Sequence, residues 1–167
     1  ASFEKADLAR RNADIAIRFQ KEPDEHLIGH RLPDFARALY ASQEYIDKHI
    51  FTGPETNAQW VGWGAKEFVA QWNNDTPFSH CRIHHVVMEP MAHLQAVKCG
   101  LGFSDLLCFV ADQEQNLVRI PGQGPLRTNP AWILTHPDLV STERVRVLVR
   151  FLHEALNKHE AAFRGKI

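Results

Sequence analysis

The sequence has no excess of basic residues. Lys and Arg together number 19 and Asp and Glu number 20, so the formal net charge is −1. A domain that binds nucleic acid by itself usually carries a clear basic surplus, because it must neutralise phosphates. The composition of these 167 residues therefore argues against direct binding of nucleic acid.

Long apolar runs, a signal-peptide pattern in the first residues and closely spaced cysteine pairs are not found in this sequence. No run approaches the ~20 apolar residues needed to cross a bilayer, and the first residues, ASFEKADLARR, lack the apolar centre of a signal peptide. Cys81, Cys99 and Cys108 are odd in number and form no CxxC pair, which favours reduced thiols over a disulfide framework. We therefore expect a cytoplasmic chain, whose 44% hydrophobic residues suit one globular domain or two small lobes.

The segment LARRNADIAIR, residues 8–18, predicts the end of a helix followed directly by a short strand. Asn12 can end the helix because Asn tolerates the left-handed conformation. The apolar run Ile15–Ile17 is too short for a helix and suits a strand buried on both faces, as in a parallel α/β sheet. Ligands of such sheets collect at the carboxyl ends of strands, so Arg18 and Phe19 are candidates to meet a small molecule.

Strand and helix signals alternate along the rest of the chain. Short apolar or β-branched runs predict strands at 27–32, 35–41, 59–63, 82–88, 106–111, 117–120 and 132–135. Helices are expected at 3–11, at 43–49 after an N-cap at Ser42, at 65–72, at 90–99, and from 141 or 142 to Phe163. This alternation predicts an α/β chain.

Several segments together resemble one known family. NADIAIR, FARALYAS, LQAVKCGLG, LLCFVAD and WILTHPDL followed by TERVRVLVRFL occur in the order found in the effector-binding domain of LysR-type transcriptional regulators, and they span nearly the whole chain. The resemblance implies an α/β fold of the periplasmic-binding-protein type 2, with two lobes joined by two crossovers. Lobe I would hold residues 1–41 and 118–167, and lobe II would hold residues 42–117.

The same resemblance implies a function. We expect a ligand-sensing domain without catalytic activity, cofactor, metal or membrane contact, which reaches DNA only through an absent N-terminal helix-turn-helix and forms a homodimer or other homo-oligomer. The family's first strand, helix and strand of lobe I are not recognisable before Phe3. The strand at Ile15–Ile17 would then expose an edge, which predicts either self-association through lobe I or further N-terminal residues that belong to the same polypeptide.

Carried onto this sequence, the family's cleft between the lobes is lined by residues at strand ends and helix starts. These residues are Arg18, Phe19, Ser42, Met88, Glu89, Thr135 and His136, to which Trp60 and Trp63 would add an aromatic wall from lobe II. Arg18 can hold a carboxylate with two hydrogen bonds, while Ser42 offers a hydroxyl. We therefore expect a small anionic effector. Each residue also has a structural interpretation, such as a helix cap for Ser42 and a core residue for Trp60.

Two other functions stay open at this point. A solute receptor of a transport system has the same implied fold but requires export. A metal-dependent enzyme is the less favoured alternative, raised by the ten histidines and by the cluster His80, Cys81, His84 and His85. On a strand, however, His84 and His85 point to opposite faces, so at most one of them could join a metal site.

Overall fold

The structure, a computed structural model, describes residues 13–51, 56–64, 76–121, 126–127 and 130–165. The chain divides into two compact units, of which the first comprises Ala1–Ala36 and Leu126–Ile167 and the second comprises Arg37–Pro125. The lobe boundaries expected from the resemblance, at 41/42 and 117/118, stay a prediction. The helices expected at 3–11 and 65–72 lie outside the described residues.

Strands and helices alternate as expected. The strands are β1 (Ile15–Phe19), β2 (Ile28–Arg31), β3 (Ala36–Ser42), β4 (Trp60–Trp63), β5 (Ile83–Val87), β6 (Ser104–Leu107), β7 (Leu117–Arg119), β8 (Leu126–Arg127) and β9 (Ala131–Thr135). The helices are α1 (Gln43–Lys48), α2 (Pro90–Lys98), α3 (Cys108–Ala111), α4 (Glu143–Asn157) and α5 (Glu160–Phe163), with a 3₁₀ turn at Pro137–Leu139.

The first unit contains an antiparallel sheet in the order β1-β9-β2. The middle strand β9 is the most apolar of the three, and its Ile133 and Leu134 are fully buried. The strand expected at Ile15–Ile17 is confirmed, but the expectation that it is buried on both faces is wrong. Ile17 is 48% exposed, because β1 pairs with antiparallel β9 and is an edge strand among those described.

The second unit is built around β3, which lies between β6 and β7 and is antiparallel to both. Strands β4 and β5 form a separate parallel pair. The core of this unit joins Leu39 of β3 to an aromatic group of Trp60, Phe78 and Phe103. The ring centroids of Trp60 and Phe103 are 4.3 Å apart, so this part of the core has aromatic contacts in addition to its apolar burial.

The expected strand at 106–111 is wrong in its second half. β6 ends at Leu107, and Cys108–Ala111 continues as the short helix α3. Short apolar runs do not distinguish a buried strand from a buried helical turn, because both present apolar side chains continuously.

The chain's last expected helix is split in two. α4 begins after Thr142, buries Val145 and Val149, and ends at Asn157, after which the separate turn α5 buries Phe163. Among the described residues, no helix is both long enough and apolar enough to cross a membrane.

Candidate functional site

Arg18 and Phe19 lie at the carboxyl end of β1, as expected. The guanidinium of Arg18 donates a hydrogen bond of 3.2 Å to the carboxylate of Asp24, and the Arg18 side chain is only 15% exposed. Phe19 is half exposed and packs edge-on against Phe35, with ring centroids 5.3 Å apart. This strand end therefore carries an arginine that is paired with a carboxylate of the same chain, that of Asp24.

Thr135 and His136 lie at the carboxyl end of β9. Thr135 is buried, and its hydroxyl donates to the carbonyl oxygen of Asp14 at 2.9 Å. The Nδ1 atom of His136 accepts from the backbone N–H of Asp138 at 3.3 Å, which caps the 3₁₀ turn. Both side chains thus have local structural partners.

The sheet register separates these two pairs of candidates. β1 and β9 are antiparallel, so Arg18 is opposite Trp132 while Thr135 is opposite Ile15. Three residues along a strand correspond to about 10 Å. Within the first unit, Arg18 and Thr135 therefore lie at opposite ends of the sheet.

Ser42 ends β3 and caps α1. Its Oγ atom accepts from the backbone N–H of Tyr45 at 3.2 Å, and the side chain is 5% exposed. A side-chain atom built on Gly100 would come 3.4 Å from this oxygen, so the turn after α2 passes close to Ser42. Because Oγ accepts from the helix, its own proton stays available to donate to a third group. No local pattern in the sequence indicates that Gly100 is a neighbour of this hydroxyl, because the two residues are far apart along the chain.

Trp60 and Trp63 are the first and last residues of β4. Trp60 is 2% exposed, and its indole nitrogen donates to the carbonyl oxygen of Phe78 at 2.9 Å. Trp63 is only partly buried. In the second unit, Trp60 therefore occupies the core, whereas Trp63 keeps some exposed surface.

Met88 and Glu89 connect β5 to α2. Met88 is 56% exposed, and Glu89 caps α2 by accepting from the backbone N–H of Ala92 at 2.7 Å. Hydrogen bonds from the backbone N–H groups of Ala92 and Met91 lower the pKa of the Glu89 carboxyl. Glu89 therefore adds a stable negative charge to this exposed turn.

Two buried polar groups of the second unit were not predicted from the sequence. Arg37 and Asp105 form an ion pair of 3.1 Å, and both side chains are at most 13% exposed. Burial raises the pKa of Asp105 to about 6, and the attraction of Arg37 only partly opposes this shift. The pair joins β3 to β6, which lie far apart in sequence, so no local pattern indicates it.

A second buried group joins α2, β4 and β6. Ser104 Oγ donates to the carbonyl oxygen of Val61 at 2.7 Å, and the Nε2 atom of His93 lies 3.0 Å from the same oxygen and 2.9 Å from Oγ. With the serine proton directed to the carbonyl oxygen, a proton on Nε2 would let the imidazole donate within this group as well. Burial is the main cause that lowers the pKa of His93.

The histidine cluster does not form a metal site within the described part of the chain. No three His, Cys, Asp or Glu side chains of those residues are arranged to hold an ion. His84 and His85 are perpendicular neighbours on β5, with ring centroids 4.6 Å apart.

The sequence matches a known family over most of its length. The family described as LysR substrate binding domain covers residues 4–157. No curated protein sequence matches the chain.

Solved structures of LysR-type regulators share the fold. The regulatory domain of CrgA from Neisseria meningitidis is 24% identical, with a TM-score of 0.70 over 89% of this chain and 78% of that chain. Full-length LysG from Corynebacterium glutamicum, with its bound effector arginine, is 15% identical, with a TM-score of 0.68 over 90% of this chain and 53% of that chain. The effector binding domain of QuiR in complex with shikimate is 13% identical, with a TM-score of 0.63 over 91% of this chain and 76% of that chain. The present chain thus spans about half the length of full-length LysG.

Proposed function

The chain belongs to the family of LysR substrate binding domains, and from this premise we propose that it senses a small anionic metabolite for a transcriptional regulator. The observation that carries the proposal is the family match over residues 4–157. The family recognised from the sequence is confirmed, and so is its periplasmic-binding-protein type 2 fold. The family is regulatory, and the absence of catalysis in this chain stays a prediction.

A ligand that carries a carboxylate group is favoured by two observations. Arginine and shikimate, the ligands named for LysG and QuiR, both carry a carboxylate. In this chain, Arg18 at the end of β1 has the fork of donors that suits a carboxylate, and Ser42 has a hydroxyl proton to donate. We propose these two residues as the effector contacts, with Phe19, Trp63, Met88 and Glu89 as further candidates and Trp60, Thr135 and His136 as the less favoured ones.

The Arg18–Asp24 ion pair indicates how such a ligand would reach the Arg18 guanidinium. A ligand carboxylate must compete with Asp24, which holds the guanidinium at 3.2 Å and is itself 46% exposed. An exposed carboxylate can turn to solvent at low cost, because partly exposed ion pairs contribute only about 0–1 kcal/mol. Asp24 therefore acts as a replaceable partner that keeps Arg18 oriented when no effector is bound.

This mechanism is tested by a thermal-shift screen of small carboxylates, including shikimate and arginine, followed by titration of any ligand found. A ligand at ~100 times its Kd adds about 2.7 kcal/mol to the free energy of unfolding, which such a screen detects. Arg18→Gln is expected to weaken binding roughly 10- to 100-fold, because a hydrogen bond to a charged group contributes about 1.5–3 kcal/mol. Asp24→Asn is expected to strengthen it up to about 5-fold.

Arg31 offers a matched control on β2, which lies on the other side of β9 in the same sheet. Arg31 pairs with Asp34 at the same distance of 3.2 Å but is 59% exposed. Arg31→Gln removes the same charge and should leave Kd within about 2-fold. Equal losses in Arg18→Gln and Arg31→Gln would mean that the ligand responds only to net charge, and the assignment of Arg18 would be wrong.

The remaining partners are proposals as well. We place the domain in the cytoplasm of a bacterium, as part of a regulator that contacts DNA through a separate helix-turn-helix and forms homodimers or other homo-oligomers. Self-association through β1, the edge strand among those described, also stays a prediction. The transport-receptor alternative rests on the shared fold alone, whereas the family match favours a regulator.

A further inference from the structure

In the second unit, the loop after α3, residues 112–116, contacts the two helices whose ends lie beside Ser42. The backbone carbonyl oxygen of Asn116 accepts a hydrogen bond of 3.2 Å from the N–H of Gln43, the first residue of α1. The side-chain amide of Asn116 donates to the carbonyl oxygen of Lys98, the last residue of α2, also at 3.2 Å. A single residue of the loop thus joins the start of α1 to the end of α2.

An ion pair adds to the contact between this loop and α2. The ammonium group of Lys98 lies 2.6 Å from the carboxylate of Glu114, and the two side chains are only 22% and 28% exposed. A partly buried pair of this kind is screened less by salt than an exposed one. The loop therefore holds the last turn of α2 both at the carbonyl oxygen and at the ammonium group of Lys98.

The other end of the loop is attached to the core of the unit. Asp112 accepts two hydrogen bonds from the guanidinium of Arg119 on β7, and a third, of 2.6 Å, from the hydroxyl of Tyr40. Tyr40 is fully buried in β3. A carboxylate that binds an arginine through two parallel hydrogen bonds has a defined position, because both bonds must keep their geometry. The loop is therefore attached to the sheet at Asp112 and to the two helices at Glu114 and Asn116.

The two helix ends that the loop joins meet at the Ser42 hydroxyl. Ser42 caps α1, and the turn after α2 comes so close that a side-chain carbon added to Gly100 would lie 3.4 Å from Ser42 Oγ. Groups that bind a ligand must keep their positions to within about 0.5 Å. The space beside the Ser42 hydroxyl therefore depends on how the start of α1 and the end of α2 are held relative to each other.

We propose that the loop 112–116 is a clamp that couples the start of α1 to the end of α2, and that Asn116 is thereby a positioning residue for the Ser42 hydroxyl. Asn116 acts through Gln43 and Lys98 rather than by touching a ligand. The coupling of the two helix ends is a property of the folded chain alone. Its role in ligand binding rests on the proposed function, in which Ser42 contacts the effector.

Amide hydrogen exchange of the whole protein tests the coupling without any ligand. Asn116→Ala removes the side-chain bond to Lys98 but keeps the backbone carbonyl oxygen that accepts from Gln43. Exchange should become roughly 3- to 10-fold faster at the N–H groups of Cys99 and Gly100, which is the range expected from the loss of one hydrogen bond. The clamp predicts a similar acceleration at the N–H of Gln43, although the direct partner of that group is retained. Lys98→Met, which removes the ion pair with the loop, should give the same pattern.

Gln113→Ala is the matched control for the exchange measurement. Gln113 lies in the same loop, is exposed like Asn116, and donates to a backbone carbonyl oxygen at 2.7 Å, but this oxygen belongs to Phe109 of α3. Gln113→Ala should leave exchange at Gln43 and Gly100 within about 2-fold of the parent protein. Faster exchange at Gly100 with an unchanged rate at Gln43 in Asn116→Ala would overturn the clamp. Equal effects of Asn116→Ala and Gln113→Ala would overturn it as well.

Titration with shikimate and with arginine tests the positioning of Ser42. For a probe that the parent protein binds, Asn116→Ala should raise Kd roughly 3- to 10-fold, whereas the same change in a Ser42→Ala background should alter Kd by less than about 2-fold. An unchanged Kd in Asn116→Ala, or the same loss with and without Ser42, would refute the positioning role. If neither probe bound the parent protein, that failure would concern the proposed function, and the exchange rates would still support or overturn the clamp.

Discussion

Breaking the buried ion pair Arg37–Asp105 should destabilise the protein more when the arginine is removed than when the carboxylate is replaced by a neutral amide. The two side chains are 13% and 10% exposed and lie 3.1 Å apart. Burial raises the pKa of Asp105, so the folded protein favours the neutral carboxyl, and Asp105→Asn supplies a neutral group of the same shape that still accepts a hydrogen bond. Arg37→Met removes the attraction that opposes this shift, so the carboxyl must bind a proton or stay charged in a site largely shielded from water.

The expected magnitudes follow from this asymmetry. Asp105→Asn should cost less than about 1 kcal/mol at pH 5, where the folded carboxyl is already largely neutral, and should not destabilise the protein at pH 7.5. Arg37→Met should cost roughly 1–2 kcal/mol more than Asp105→Asn at pH 7.5, because the carboxyl that it leaves must take up a proton. Both costs lie below the 3–5 kcal/mol that is typical when one partner of a buried pair is removed. The double variant Arg37→Met with Asp105→Leu should recover most of the loss, since apolar replacements of buried pairs are often close to neutral.

The pH dependence gives an independent check. The pKa of Asp105 is about 6 in the folded protein and 3.8 for a free side chain, so between these values the folded state holds a proton that the unfolded state has lost. The contribution of Asp105 to the free energy of unfolding therefore falls by about 3 kcal/mol as the pH rises from about 4 to 6, and this contribution is constant above that range. Asp105→Asn removes this slope.

Urea unfolding followed by tryptophan fluorescence measures these differences, because Trp60 lies in the core of the same unit. The three variants and the parent protein would be compared at pH 5 and pH 7.5. Equal costs for Asp105→Asn and Arg37→Met at both pH values would refute the reasoning, as would a double variant whose loss is the sum of the single losses.

Two further predictions concern the second unit. Gly102→Ala should lower the free energy of unfolding by about 3–5 kcal/mol, because the new carbon would lie 2.5 Å from the carbonyl oxygen of Gln59, which accepts a hydrogen bond from the backbone N–H of Phe103. Gly100→Ala should lower it by only about 1–2 kcal/mol, because only a positive φ of 74° opposes the side chain there. Equal urea midpoints for the two variants would contradict this prediction. Because the pKa of His93 is lowered in the folded protein, the unfolded state takes up a proton on this histidine at a higher pH than the folded state does. The contribution of His93 to the free energy of unfolding is therefore fully present above the free pKa of about 6.5 and is lost as the pH falls below it. A His93→Asn variant should lack this loss in thermal unfolding between pH 5 and 7, and an unchanged profile would exclude His93 as its source.

Local features of the fold were predictable from the sequence, whereas contacts between distant segments were not. Ser42 as the cap of α1 and Pro90 at the start of α2 follow from short-range chemistry, and both are confirmed. The strand end at Arg18 was also predicted, but the register of β1 on β9, which moves Thr135 to the other end of the sheet, depends on pairing across most of the chain. The same applies to Asp105, whose partner Arg37 lies on another strand and becomes apparent only once the strands are paired.

The first unit is built from two segments that are far apart in the sequence, and this affects the order in which the chain can fold during synthesis. The second unit, Arg37–Pro125, is one continuous segment. In the first unit, β1 can form its pairing with β9, in which Ile15 lies opposite Thr135, only after β9 has been synthesised. On a ribosome, the inserted unit can therefore fold first, and its folding shortens the loop that β1 and β9 must close. A nascent chain that stalls before residue 126 would leave β1 without β9 and would be a natural substrate for chaperones.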